Sequence, residues 1–320
     1  MDNERRTAVL FLCAGLLLFL PAYSSTFLAG GMPRGQFFVL ALWGYVFLVD
    51  NVGYWLSGSS LLVSRTKEAL PLALGSLGIV CVFELLNLRL ASWSYVSVPF
   101  GLPARWGTLV LGWAALLPLI FVTAELLPAL GFTGKPASKR FAVSPWLLNL
   151  FCAVGFAMLG LALAFPAALG PLVFAAFLFL AEPVNFWTGL PSLLREFSWG
   201  LPGKAIRLAV AGILSALAWS GIAGLLGAHP AGGGFIKAEG VLGSPVVAYA
   251  VFAFFALEAY SLYSLCSALR GGRTWEKGVW AMRGHAPAPY FKWVALAAEA
   301  AAVYAVLSII DGHTALARLF

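Results

Sequence analysis

The chain has 320 residues, of which 61% are apolar and only 10% charged, with a mean hydropathy of +0.91, whereas soluble domains carry about 25% charged residues. No water-soluble shape of this length covers such a chain with polar surface, but a bilayer solvates apolar side chains while helices satisfy their own backbone groups. The net charge of +7 comes from basic residues in short connections between apolar runs. There they report topology and contact with anionic lipid, and a nucleic-acid partner is excluded.

Met1 to Arg6 precede an apolar run that continues to about Leu28. That run is too long for a signal-peptide core, and Leu12 before Cys13 does not suit a lipoprotein cleavage site. It reads as a first membrane helix. Runs able to cross about 30 Å of hydrocarbon lie near residues 7–29, 36–57, 70–90, 107–131, 145–165, 167–187, 205–227, 244–268 and 290–310. The expected fold is all-α integral membrane, with about nine transmembrane helices. Counting Lys and Arg with the N-terminus inside gives fifteen cytoplasmic against five on the far side. This positive-inside bias predicts a multi-pass protein of the inner cell membrane, N-terminus cytoplasmic and C-terminus outside.

A weak self-similarity divides the chain. Asp50-Asn-Val-Gly-Tyr-Trp55 with Ser60-Leu-Leu62 matches Glu182-Pro-Val-Asn-Phe-Trp187 with Ser192-Leu-Leu194 at a constant offset of 132 residues. Phe121-Val-Thr-Ala-Glu125 matches Phe254-Phe-Ala-Leu-Glu258 at an offset of 133. The expectation is two parallel four-helix repeats, residues 1–134 and 135–269, related by an axis along the membrane normal. An interfacial loop (270–289) and a ninth helix with a tail (290–320) follow. In that loop Trp275, Val279 and Met282 stand at helical spacing among Glu276, Lys277 and Arg283, the pattern of a helix lying in the membrane interface.

Charged side chains inside a bilayer are costly and mark either a site or a structural pair. Asp50, Glu125, Glu182 and Glu258 are expected at one depth in the cytoplasmic half as acid catalysts, with Glu299 reaching a similar depth. Tyr54, Phe121, Phe186 and Phe254 stand one helical turn from them, on the same face. With Trp55, Trp187 and Asn185 these are the expected substrate-binding residues. Few embedded bases stand nearby, Arg195 and Arg207 lying only at the cytoplasmic edge. Glu84, near Asn87 and Arg89, reads as a structural pair.

Cys13, Cys81, Cys152 and Cys266 show no metal-ligand or disulfide spacing and read as small buried hydrophobes. His229, His285 and His313 fall in loops or at a helix end, which excludes an intramembrane bis-histidine haem. No phosphate loop, zinc-protease helix or serine-nucleophile elbow is present. No cofactor or metal is called for, the open alternative being a lone cation held by Asp50, Glu182 and Asn185.

Acid beside aromatic suits an enzyme acting on an isoprenoid-like lipid: a carboxyl protonates a double bond and ring faces stabilise the resulting cation. Glu84, Trp93-Ser-Tyr95 and Pro99-Phe-Gly-Leu-Pro103 resemble the acid, W-x-[YF] and Gly-x-Pro stretch of the small integral-membrane lycopene-cyclase (carotenoid cyclase) domains. The resemblance implies carotenoid-cyclase chemistry. Where that family continues with a Glu-Glu pair, this chain has Ala104-Arg105. The competing readings are a proton- or cation-coupled transporter and a non-catalytic subunit of a larger membrane complex. Membrane lipid and an apolar or lipidic small molecule are the expected partners, and the sequence names no protein partner.

Overall fold

The computed structural model describes residues 3–24, 34–95, 98–133, 139–225, 236–270, 274–276 and 289–312. The chain runs through α1 (Asn3–Ser24), α2 (Arg34–Ser57), α3 (Thr66–Leu90), α4 (Leu102–Ala129) and α5 (Pro145–Ala164). A broken element follows, α6 (Pro166–Leu169), a 3-10 turn (Gly170–Leu172) and α7 (Val173–Thr188). Then come the short α8 (Leu193–Ser198), α9 (Gly203–Leu225), α10 (Pro245–Leu269) and α11 (Pro289–Ile310). Among the described residues, eight helices are long and apolar enough to cross a membrane. An all-helical, multi-pass membrane protein is the class these elements define.

Each apolar run of the sequence falls on one of these helices, the run at 167–187 on the α6–α7 pair. Local chemistry explains several of the ends. Pro103, Pro145, Pro166 and Pro245 open helices at positions where a missing N–H is harmless. Ser144 and Ser192 cap α5 and α8 through their hydroxyls, which accept from Leu147 and Arg195 N–H. Helix α3 stops where Ala91 takes a left-handed conformation (φ 47°), and Asn87 then ties down the outgoing chain. Its Oδ1 accepts from the N–H groups of Ser92 and Trp93, and its Nδ2 donates to the Trp93 carbonyl.

The helices pack in the same order in the two halves. Helix α1 lies on α2, α2 on α4 and α4 on α3; likewise α5 lies on α7, α7 on α10 and α10 on α9. Between the halves, α4 meets α9 and α3 meets α10. At one end of the bundle, β1 (Trp93–Tyr95), between α3 and α4, pairs antiparallel with β2 (Ile236–Ala238), between α9 and α10, with Ser94 opposite Lys237. We call this the strand end. The opposite end carries Arg65, Arg195, Lys204 and Arg270 and is called the basic end.

Small residues set the closest approaches. A Cβ on Gly212 of α9 would lie under 3.0 Å from the Phe252 backbone of α10, so only glycine allows that contact. Large apolar side chains fill the centre of the bundle: Leu42, Leu72, Trp113, Leu117, Leu119 and Ile120 are all 1% exposed or less. Helix α11 lies against α3, held by ion pairs of Glu299 with Arg270 and of Asp311 with Arg105.

Within the segment expected to lie in the membrane interface, the described residues 274–276 are placed differently. Trp275 is buried inside the bundle, stacked on Phe121 at 4.5 Å between ring centroids and edge-on to Tyr260. Thr274, Trp275 and Glu276 are non-helical. A flat aromatic ring packs better between two rings of its own protein than against headgroups. Val279 and Met282 lie outside the described residues, as do the three histidines.

Candidate functional site

The paired acids Asp50 and Glu182 sit alike. Asp50 is seven residues from the end of α2 and Glu182 six from the end of α7. Each reaches past its helix end to fasten the chain that follows. Asp50 accepts from the N–H groups of Leu61 (2.8 Å) and Leu62 (3.1 Å). Glu182 accepts from Leu194 N–H (2.8 Å) and Ser192 Oγ (2.7 Å), and also from Ser261 Oγ of α10. Leu62 and Leu194 occupy the same place in the sequence match. Each carboxylate is surrounded by donors within its own half and fastens the chain that follows its helix.

Glu125 and Glu258 differ in depth and in company. Glu125 stands four residues from the end of α4, Glu258 eleven from the end of α10, a difference of about 10 Å along the bundle at 1.5 Å per residue. The two acids are therefore not matched in distance from the ends of their helices. Glu125 is clamped by the Arg65 guanidinium, which also holds Glu68 and donates to the Trp275 carbonyl. Arg65 and Arg270 supply the embedded bases that the sequence reading did not find, because long basic side chains reach inward from helix ends. Glu258 is fully buried. Its Oε1 accepts from Phe177 N–H at 2.8 Å, and its Oε2 has no hydrogen-bond partner among the described residues.

The predicted substrate-binding aromatics do not gather around the acids. Trp55, Trp187 and Phe254 are 54%, 86% and 47% exposed and face outward. Phe186 lies under the Arg195 guanidinium at 5.2 Å, and Tyr54 packs on Trp55. Phe121 is buried against Trp275. Asn185 is buried, with Nδ2 donating to the Ser261 carbonyl and Oδ1 unpartnered.

A different set of rings does gather. Phe83 of α3 stacks on Phe174 at 5.3 Å and meets Phe177 and Phe255 edge-on at 5.8 and 5.4 Å; Trp93 adjoins Phe174 at 5.8 Å. Two acids bound this cluster. On one side Glu258 takes the Phe177 N–H. On the other, Glu84 Oε1 accepts from Trp93 Nε1 (3.1 Å) and Tyr95 OH (2.5 Å), and Trp113 Nε1 donates to Tyr95 OH at 2.6 Å. Burial, with Glu84 beside it, holds the Tyr95 phenol well above its ordinary pKa, so it serves as a donor throughout the physiological range. Glu84 is thus paired with two aromatics and not with Arg89, which is exposed. The cluster draws on α3, β1, α7 and α10, and no sequence spacing links them.

A second feature is a cleft of about 430 Å³ at the basic end. Val49, Val122, Leu126 and Leu208 form apolar walls, and Asp50, Glu125, Arg65, Lys204, Arg207 and Glu276 supply charge. Lys204 pairs with Glu196 (2.5 Å) and Glu276 (2.7 Å). No family model, no curated protein and no solved structure matches the chain.

Proposed function

We propose that this protein is a membrane enzyme acting on an isoprenoid-like lipid by acid catalysis, with Glu258 as the acid and the cluster of Phe83, Trp93, Phe174, Phe177 and Phe255 as the binding surface. The observation that carries the reading is a pair of buried carboxyls, Glu258 and Glu84, on either side of packed aromatic rings in an apolar interior. Glu258 Oε2 has no hydrogen-bond partner among the described residues, so it can hold a proton and hand it to a double bond. The ring faces then stabilise the positive charge that develops. Glu84, Trp93 and Tyr95, which carry the likeness to lycopene-cyclase domains, meet in this network. Arg105, standing where that family has a carboxylate, is instead engaged with Asp311. The closely packed apolar side chains at the bundle centre favour this reading over a carrier, which needs a polar path between the faces.

The proposal includes the topology. The basic end faces the cytoplasm by the fifteen-to-five charge bias, with α1 as the ninth span. The two halves are copies of one four-helix unit, a reading supported by their common packing order, the Asp50 and Glu182 fasteners and the cross-half strand pair. Cysteines placed at Lys139 and Lys237 would then react with impermeant reagent from opposite sides.

The functional test is a lipid extract of membranes expressing the wild type beside Glu258→Gln, analysed by mass spectrometry with linear polyprenoids supplied. A product present only with the wild type supports the reading. Identical extracts from two equally folded proteins would sink it.

A further inference from the structure

We propose that the basic-end cleft is a binding site for the phosphate head of an amphipathic ligand, with Arg207 as its principal contact. The cleft is separate from the acid-aromatic cluster and stands on its own observations. Its charges are mostly committed: Glu125 to Arg65, Glu276 to Lys204, and Asp50 to the Leu61 and Leu62 N–H groups. Arg207, half-buried in the wall, feels the charge of Glu196, which is itself ion-paired to Lys204, and makes no ion pair or hydrogen bond of its own among the described residues. Arg65 Nε and Trp275 Nε1, on two further lining residues, are buried without an acceptor among the described residues. The unmatched groups on these lining residues are therefore all donors, and a buried donor without a partner costs about 1–3 kcal/mol. The missing component is an acceptor with several oxygens, and a guanidinium suits phosphate in particular.

Position narrows the ligand further. Arg207 lies four residues into α9, about 6 Å along its axis, at the level where lipid phosphates meet the ends of spans. Val49, Val122, Leu126 and Leu208 continue the cleft with apolar wall, as an acyl or prenyl chain requires. Gly53 lines the same space, and a Cβ there would meet nothing within 4 Å, so a larger side chain can fill the cleft without disturbing the fold.

The experiment uses full-length protein in phosphatidylcholine nanodiscs containing a minor fraction of phosphatidylglycerol, with inorganic phosphate as a separate probe. Native mass spectrometry reads lipid retained by the protein. Phosphatidylglycerol should be retained above its bulk fraction, and Arg207→Gln should lower that retention about tenfold, the effect of losing one charge-assisted hydrogen bond. Trp275→Phe, which keeps the ring stack and removes the N–H, should lower it less. Gly53→Leu should abolish it with an unchanged melting temperature. Saturable binding of inorganic phosphate that depends on Arg207, with no lipid enrichment, would support the site with a soluble phosphate as its source. Retention unaffected by Arg207→Gln and Gly53→Leu, or no binding of either probe, overturns the proposal and leaves the reading of the acid-aromatic cluster untouched.

Discussion

Asp50 and Glu182 resemble each other in sequence and in space, whereas Glu125 and Glu258 resemble each other in sequence alone. The first pair lies at matching distances from the ends of its helices, and each acid meets the same downstream Ser-Leu-Leu stretch. The second pair has almost the same offset, but α4 and α10 are cut to different lengths around it. One acid reaches the basic end and finds Arg65; the other stays in the middle of the bundle among rings. Repeated letters give repeated chemistry only where helix boundaries repeat with them.

The sharpest way to break this comparison is to remove the fasteners. Asp50→Ala leaves two buried backbone N–H groups without acceptors and Glu182→Ala leaves one together with two serine hydroxyls, so each should destabilise the protein by about 3–5 kcal/mol, and by similar amounts. Thermal unfolding in detergent would measure this, and a large inequality would end the equivalence of the two sites. Gly212→Ala tests the closest helix contact. A methyl group forced against the Phe252 backbone should cost about 1–3 kcal/mol, while Gly53→Ala, in open space, should melt with the wild type.

Glu258→Gln sharpens the contrast from the other side. Only one carboxyl oxygen is engaged, so the amide should lower stability by about 1 kcal/mol or less while removing the proposed acid and its activity. Glu125→Gln keeps the shape but weakens the Arg65 clamp, an intermediate loss of about 1 kcal/mol for a partly exposed pair.

The smallest expected effect is a pH dependence at Glu196, on the connection between spans. Burial pushes this carboxyl above its ordinary pKa, and Lys204 opposes the shift. A raised carboxyl favours the folded state while protonated. Its contribution is therefore present below the unfolded-state value and fades as pH rises through the folded-state value. Glu196→Gln should flatten that part of the stability profile, and melting temperatures across the mildly acidic range would show it.

Much of this architecture is written locally. Apolar runs mark the helices, prolines mark several starts, and the Asp50 and Glu182 motif announces where the chain must be fastened. The aromatic cluster is not written that way, because its rings come from four elements far apart in sequence. In a chain apolar all round its helices, hydropathy does not tell an inward ring from a lipid-facing one, and packing alone decides. Phe254 and Phe255 show the difficulty: the first has the expected spacing from Glu258 and faces out, while its neighbour faces the cluster. The strands are equally silent, since three residues at 93–95 pair with three at 236–238 without any hairpin signal between them. Trp275 was legible as an anchor but not as an interior one, because an interface and a protein core attract the same residue type.

The clamp on α11 bears on how the protein is made. Glu299 falls at the middle of that helix, and an ionised carboxyl there opposes entry into the bilayer by a few kcal/mol. Its two engagements, the Arg270 guanidinium and the Gly78 N–H, both belong to segments synthesised earlier. If helices insert in the order of their synthesis, α11 meets both partners already in place, and its insertion is expected to depend on them. Arg270→Gln should accordingly yield chains whose C-terminal helix is incompletely inserted and exposed to degradation, even though the substitution touches no lipid-facing residue.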